Sequence, residues 1–217
     1  MVGRALSCGF AVLAASFTAV VQAAVLGPRE DARPIRWEGY IFRDGKLHEL
    51  YVTDIKDLWS KVLEQNHSFT AGITLDELGE PSGSRTCGSN TALAVGRRGQ
   101  AIPIMTMLDQ LGGYWTLDAK RCYRLGCNQN TGLYWCNQND RNIRTTAQSL
   151  LLRARNIHSN CCPGGDTGGL NGMEWYPNDH REAAHSYVSI AYANCDGTHT
   201  NALPWAVQDP GTAVCPT

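Results

Sequence analysis

Four side chains within a dozen positions carry the groups that acid–base cleavage of a phosphodiester requires. Glu174 and Glu182 supply carboxylates next to a glycine-rich stretch. His185 supplies an imidazole that could give or take a proton, and Arg181 could neutralise a phosphate. Together they could cut RNA, with one group as base, one as acid and the arginine on the phosphate. Charged residues also gather in this way in a polar loop beside an edge strand, and this structural interpretation is the one we expect.

Other hydrolase motifs are absent from the chain. It has neither the G-x-S-x-G motif of serine hydrolases nor the H-E-x-x-H motif of zinc proteases. Both motifs place a nucleophile or a metal on a defined local structure, so the commonest secreted hydrolases are disfavoured.

The cysteines indicate a disulfide framework. Cys8 lies in an apolar N-terminal stretch, and eight more follow. Their spacing contains no paired C-x2-C knuckle of the kind that holds zinc, so we expect no metal and no cofactor. An even number favours complete pairing, although sequence alone leaves about a hundred connectivities open. The eight are Cys87, Cys122, Cys127, Cys136, Cys161, Cys162, Cys195 and Cys215.

The N-terminus has the features of a secretory signal peptide. Arg4 precedes an apolar stretch that ends near Val21, and Val21-Gln22-Ala23 offers small residues for cleavage after Ala23. The stretch of about 16 residues is shorter than the ~20 needed to span a bilayer. We therefore expect a secreted, extracellular protein without a membrane span.

The charge of the chain is nearly balanced. It has 19 Lys and Arg against 20 Asp and Glu, a formal net charge of −1. Removing Arg4 with the signal peptide makes the balance one unit more negative. Because no positive field would attract phosphates, we do not expect nucleic acid as a partner. We also expect a monomer.

Several short motifs allow a functional and a structural interpretation. Asn66 begins the sequon Asn-His-Ser, a candidate glycosylation site. Arg97-Arg98 and Lys120-Arg121 are dibasic pairs that a processing protease could cut, although a solvated basic turn is the commoner case. Tyr114-Trp115 and Tyr134-Trp135 could stack on sugar rings, although aromatic residues on strands are more often half buried.

The cysteine-free first part of the mature chain predicts a ββα unit. Apolar and polar residues alternate over residues 35–41, Asp44-Gly45 offers a turn, and residues 47–52 form the return strand. Thr53 can cap a helix whose apolar residues from Ile55 to Leu63 share one face. A linker rich in Gly, Pro and Ser follows at residues 79–85.

The cysteine-rich part predicts two helices and a set of strands. Pro103 suits the first turn of the first helix, which runs to about Leu111 and stops at Gly112-Gly113. The second is capped by Asn139 or Asp140 and carries an apolar stripe over residues 143–157. Strands are predicted at residues 114–117, 121–127, 132–136, 173–176 and 186–193. Cys122 and Cys136 flank a turn symmetrically, so a cross-strand disulfide between them is geometrically possible.

This arrangement resembles the fungal secreted killer toxins and necrosis-inducing effectors. The residues that carry the resemblance are Thr86-Cys87-Gly88, the segments GLYWCN at 132–137 and VSIAYANC at 188–195, and the amphipathic stretch 143–161. The resemblance implies an antiparallel sheet with two helices packed on it, extracellular location and action on a host or competing cell. It assigns no activity to any residue.

The predicted protein is therefore α+β, with an antiparallel sheet, two helices packed on one face and a disulfide framework, preceded by the ββα unit. Its regions are a signal peptide (1–23), a cysteine-free region with linker (24–85) and a cysteine-rich domain (86–217). We expect a secreted fungal effector or killer-toxin-like protein that binds a protein or cell-surface component of a host or competitor. The alternative is a secreted enzyme, ribonuclease-like or another small hydrolase, that uses Glu174, Arg181 and His185.

Complete pairing of the cysteines gives a first prediction. The secreted protein, unfolded without reductant and treated with a thiol alkylator, should gain no mass in a mass spectrum, because each of its eight cysteines is oxidised. The same treatment after reduction is the positive control. Two or more labels on the unreduced protein would contradict the framework.

Overall fold

The computed structural model describes residues 29–30, 33–69, 83–87, 96–161, 169–177 and 183–195. The predicted signal peptide, Cys162 and Cys215 lie outside these residues. None of the described helices is long and apolar enough to cross a membrane.

Twelve strands and three helices make up the described chain. The first eight strands are β1 (Arg29–Glu30), β2 (Ile35–Tyr40), β3 (Leu47–Val52), β4 (Arg85–Cys87), β5 (Gly96–Arg97), β6 (Tyr114–Leu117), β7 (Arg121–Asn128) and β8 (Thr131–Asn137). The others are β9 (Ile143–Thr146), β10 (Gly169–Leu170), β11 (Gly172–Trp175) and β12 (Ser186–Tyr192). The helices are α1 (Ile55–Gln65), α2 (Arg98–Leu111) and α3 (Ala147–Asn160).

The strands form two main sheets. One has six strands in the order β1-β7-β8-β12-β11-β4, antiparallel except for the parallel pair β1–β7. The other has four antiparallel strands in the order β3-β2-β6-β9. The short strands β5 and β10 pair with each other. Helices α2 and α3 pack on each other and on the six-stranded sheet. The predicted α+β class with a disulfide framework is confirmed.

The N-terminal hairpin forms as its alternation predicts. Ile35 and Trp37 on β2 point into the core, and the residues between them face outward. At the turn, the carboxylate of Asp44 accepts a hydrogen bond from the Lys46 amide at 3.0 Å, and Gly45 has a positive φ of 73°. Alternation and turn chemistry thus fix the register together.

Helix α1 follows the hairpin, but its cap differs by one residue from the prediction. Asp54, and not Thr53, is the N-cap, and its carboxylate accepts a hydrogen bond from the Asp57 amide at 2.8 Å. The Asp57 carboxylate in turn accepts one from the Thr53 amide at 2.9 Å. These reciprocal bonds satisfy backbone donors that a helix start leaves unpaired.

The two regions predicted on either side of the linker share one sheet and one core. Strand β2 pairs with β6, which places Trp37 opposite Trp115. Both indoles are fully buried, in a cluster that extends from the hairpin through all three helices to β12. The division of the mature chain near Arg85 therefore does not separate two packing units, because the apolar face of α1 packs against residues of the later region.

Helix α2 begins earlier than predicted. It starts at Arg98, so Pro103 lies inside the helix and not in its first turn. Pro103 faces solvent and gives up one helical hydrogen bond. At the N-terminus of the helix, the buried guanidinium of Arg98 donates to the carbonyl oxygen of Cys161 at 2.6 Å and so ties α2 to the end of α3.

The predicted long helix is a strand followed by a shorter helix. Ile143–Thr146 forms β9 at the edge of the four-stranded sheet, and α3 starts at Ala147. The cap is Thr146, whose hydroxyl accepts from the Ser149 amide at 3.1 Å, and not Asn139 or Asp140. Three of the four β9 residues are β-branched, which favours a strand. Ile143 and Ala147 are four residues apart, so they share a face in a helix and also in a strand. Ile143 therefore fitted the helical stripe although it lies in a strand.

Three disulfides join the described elements. Cys122–Cys136 bridges directly opposed residues of β7 and β8, which confirms the predicted cross-strand bridge. Cys87–Cys161 ties β4 to the end of α3, and Cys127–Cys195 ties β7 to the end of β12. All three act on the six-stranded sheet, whereas the described strands of the four-stranded sheet contain no cysteine.

The cap of α1 predicts a pH-dependent contribution to stability. Partial burial acts to raise the pKa of Asp57, but hydrogen bonds from Lys61 and Thr53 and the charge of Lys61 outweigh it and hold that pKa below its ordinary value of 3.8. A carboxyl with a lowered pKa stabilises the fold above its unfolded pKa and loses this effect as the pH falls through the folded one. Asp57→Asn should therefore lower the free energy of unfolding at neutral pH by about 0.5–1 kcal/mol.

Urea unfolding at pH 7 and at decreasing pH below 3.8 measures this effect. The difference between Asp57→Asn and the unmodified protein should shrink as the pH falls. Glu64→Gln, an exposed substitution in the same helix, is the control and should change little. A difference that stays constant with pH would contradict the role of the Asp57 charge.

Candidate functional site

The carboxylate of Glu174 is buried and fully engaged. Glu174 lies on β11 and has no exposed surface. Its Oε2 accepts from Arg85 Nε at 3.1 Å, across the strand pair β11–β4, and its Oε1 accepts from Asn156 Nδ2 of α3 at 2.9 Å. These two contacts join an edge strand to the helix layer. A carboxylate held in this way is suited to a structural role, since a general base needs a free oxygen that a substrate can reach.

Of the other members of the predicted acid–base set, the structure describes only His185, and it lies away from Glu174. His185 is exposed on the turn before β12, with a positive φ of 56°. Glu174 is opposite Val188, so His185 lies three residues, or about 10 Å, further along the strand direction. Arg181 and Glu182 lie outside the described residues. No group of three metal-binding side chains occurs within the described part of the chain.

A buried polar network lies beside Glu174, and the sequence analysis did not anticipate it. The guanidinium of Arg153 on α3 stacks on the ring of Tyr176 at 3.6 Å from the centroid, and its Nη1 donates to the Ser149 hydroxyl at 3.0 Å. The Ser149 hydroxyl lies 3.2 Å from the Tyr176 hydroxyl, which also lies 3.3 Å from Thr145 Oγ1. All four residues are buried. The network fixes α3 over β9 and over Tyr176, the residue that follows β11.

The predicted modification and cleavage motifs have defined places. Asn66 ends α1, and its Nδ2 donates to the Ile41 carbonyl at 2.7 Å while its Oδ1 accepts from Ser68. Glycosylation at Asn66 remains a prediction. Arg97 is exposed, but Arg98 is only 9% exposed. The dibasic pair is therefore not a solvated turn in the folded protein, because the Arg98 side chain is buried and donates to the Cys161 carbonyl.

The aromatic pairs are divided between core and surface. Trp115, Tyr134 and Trp135 have no exposed surface, so the fold does not offer them to a sugar ring. Tyr114 points to the opposite side of the four-stranded sheet from Trp115. Its ring lies beneath the guanidinium of Arg144, whose Cζ is 4.0 Å from the ring centroid. Only this tyrosine of the two pairs contributes to a surface.

A better candidate is the solvent-facing side of the four-stranded sheet, which we call the outer sheet face. Alternation along each strand gives it aromatic, apolar and charged residues in neighbouring rows. Its members are Arg36, Glu38 and Tyr40 of β2, Leu47, Glu49 and Tyr51 of β3, Tyr114 and Thr116 of β6, and Arg144 and Thr146 of β9.

Four charged side chains form a connected row across the outer sheet face. Arg36 lies between the two glutamates of the hairpin, with Nη2 3.4 Å from Glu38 Oε2 and Nη1 3.6 Å from Glu49 Oε2. Arg144 Nε donates to the same Glu38 oxygen at 3.1 Å. The side chains of the other three are 37–44% exposed, and that of Glu38 is 20% exposed. Two positive and two negative charges balance, so the row has donors and acceptors but little net field.

Large apolar and aromatic side chains flank this row. Tyr51 is 56% exposed, Leu47 50% and Tyr40 45%. The Glu49 carboxylate, through a hydrogen bond with the Tyr51 hydroxyl and through its charge, raises the pKa of Tyr51 above its ordinary value. Tyr51 therefore stays protonated as a hydrogen-bonding group at physiological pH. Sequence reasoning identified the hairpin but overlooked this face, although the strand pattern already placed Tyr40 and Tyr51 on the polar side.

The comparisons with known proteins give no assignment. No protein-family model matches the chain, and no curated protein and no solved structure matches it.

The contacts of Glu174 predict how two substitutions differ. Glu174→Gln should lower the free energy of unfolding by about 1.5–3 kcal/mol, because it removes the charge of a buried carboxylate that accepts from Arg85 and Asn156, while the partly exposed Arg85 can still be solvated. His185→Ala should change stability by less than about 0.5 kcal/mol. Thermal and urea unfolding measure both. If both variants folded as stably as the unmodified protein while a ribonuclease activity disappeared, the structural role of Glu174 would be wrong.

Proposed function

We propose that this protein is a secreted fungal effector or killer-toxin-like protein that acts by binding a target of a host or competitor cell through its outer sheet face. The observation that carries the proposal is the concentration of exposed large apolar and aromatic residues there. Of the six such side chains in the described residues, Tyr40, Leu47 and Tyr51 belong to this face, and Phe42 lies in the adjacent turn. Tyrosine and arginine are the residues on which binding energy most often concentrates.

The disulfide framework supports secretion. Three disulfides among the described cysteines are typical of a protein that matures and works in an oxidising environment. The apolar N-terminal stretch with its small-residue cleavage site points to the same route.

Charge pairing on the outer sheet face favours recognition over catalysis. A glycosidase-like pair would need two carboxylates free to act on a substrate, and here Arg36 forms ion pairs with both Glu38 and Glu49. The acid–base set around Glu174 is likewise not assembled within the described residues. No observation favours the ribonuclease alternative.

Binding of fluorescently labelled protein to candidate host or competitor cells tests the proposal. Leu47→Ser combined with Tyr51→Ser should reduce cell-associated fluorescence at least tenfold, because it removes the two most exposed apolar anchors while leaving the core intact. Tyr192→Ser is the matched control, since Tyr192 is 42% exposed at the end of β12, away from this face.

The outcomes separate the hypotheses. Loss of binding in the double variant, with the control unchanged, supports recognition through the outer sheet face. Equal binding by all three proteins contradicts it, and RNA cleavage by the unmodified protein that His185→Ala abolishes would favour the enzyme instead.

A further inference from the structure

We propose that the ligand of the outer sheet face is an uncharged oligosaccharide chain, which lies along the hairpin of β2 and β3 with its rings on the exposed tyrosines and its hydroxyls on the charged row. This inference rests on the proposed function, since it names the chemistry of the target that the same face would bind. Its support comes from ring placement, charge balance, spare hydrogen-bonding groups and the size of the face.

The exposed rings are spaced for a chain of several sugar units. Tyr51 lies opposite Arg36 on β3, and Tyr40 lies four residues further along β2, so the two are about 14 Å apart. Between them lie the carboxylates of Glu38 and Glu49, which face each other across the strands. The flat faces of pyranose rings carry C–H groups that pack on aromatic rings, and tyrosine combines such a face with a polar tip.

The charged row suits hydroxyl groups better than it suits an ion. Its two arginines and two glutamates cancel, so it offers no field that would attract a phosphate, an acidic polymer or a basic peptide. Hydroxyl groups are both donors and acceptors, and they can bond to guanidinium and carboxylate alike. A neutral polyol is therefore the ligand class whose hydroxyls can bond to the arginines and to the glutamates of the row at the same time.

Unused hydrogen-bonding capacity remains on this row. Arg144 is bound through Nε, and neither of its Nη atoms has a hydrogen bond to any residue that the structure describes. Its guanidinium is held in place by the ring of Tyr114 beneath it. A donor group fixed in this way loses little conformational entropy when a ligand binds.

The size of the face argues against a protein partner or a second copy. Four strands spaced ~4.8 Å apart and four to six residues long cover roughly 300–400 Å². A stable protein–protein interface buries about 800 Å² on each partner. A protein partner would therefore have to extend beyond the outer sheet face, whereas a short carbohydrate chain fits on it.

Isothermal titration of the purified full-length protein tests the inference with defined probes. The neutral probes are hexasaccharides of β-1,3-glucan, β-1,4-glucan, β-1,4-xylan and chitin, and the anionic probe is a hexamer of galacturonate. At least one neutral probe should bind, and its affinity should change less than about twofold between ~50 mM and ~500 mM salt, because screening acts only on charged partners. The galacturonate hexamer should bind at least tenfold more weakly.

Variants connect the binding to the face. Tyr51→Ala should weaken binding of the neutral probe at least tenfold, Tyr51→Phe by less than about threefold because the ring remains, and Tyr192→Ala should have no effect. Circular dichroism confirms that each variant is folded. If Tyr51→Ala and Tyr192→Ala bind alike, the face is not the carbohydrate site and the inference fails.

The failure of this inference can be distinguished from failure of the proposed function. If no neutral probe binds at about 1 mM and protease treatment of target cells abolishes binding that depends on Leu47 and Tyr51, the target is a protein and only the carbohydrate is wrong. If periodate oxidation of the cell surface abolishes binding, the carbohydrate is supported. If the protein binds neutral oligosaccharides but no cell, the ligand class stands and the proposed function is wrong.

Discussion

The antiparallel pairing of β2 with β6 is the contact on which the remaining architecture depends. It brings Trp37 opposite Trp115 and so joins the first strand of the hairpin to a strand that follows almost eighty residues later in the chain. The Trp37 indole donates to the Gly112 carbonyl at 3.0 Å, and a side chain at Gly113 would collide with the same indole. The glycine pair therefore ends α2 and also accommodates the ring. Without this pairing, the four-stranded sheet would divide into two separate strand pairs, each marginally stable on its own.

Local sequence patterns predicted most of the elements because each of these segments fits only one pattern, that of a strand, a helix or a turn. The hairpin and β6 follow alternation and turn chemistry, whereas β7, β8 and the final strand are almost continuously buried runs bounded by turns. The opposed pair Cys122–Cys136 follows from the turn between β7 and β8. The prediction fails where one segment fits both a helix pattern and a strand pattern. Residues 143–146 satisfy a helical stripe and a strand alternation together, and only pairing with β6 selects the strand.

The site could be predicted only in part, since its properties depend on which strands become neighbours. Alternation alone places Arg36, Glu38 and Tyr40 on one side of β2. Nothing local indicates that β6 and β9 will extend this side, or that Arg144 will reach Glu38 across 106 positions of the chain. The same limit explains Glu174. A charged residue near a histidine suggests chemistry in sequence, and its burial against Arg85 and Asn156 becomes visible only in three dimensions.

Alternation in the four-stranded sheet separates the requirements of folding from those of recognition. Each core residue of β2 and β3 is followed by one that faces solvent, so the two sets of positions can change almost independently over generations. Substitutions at Tyr40, Leu47 or Tyr51 would therefore change the proposed binding surface, while Ile35, Trp37 and Val52 keep the scaffold folded. For the proposed role against a host or competing cell, such a surface would allow rapid diversification without loss of the fold.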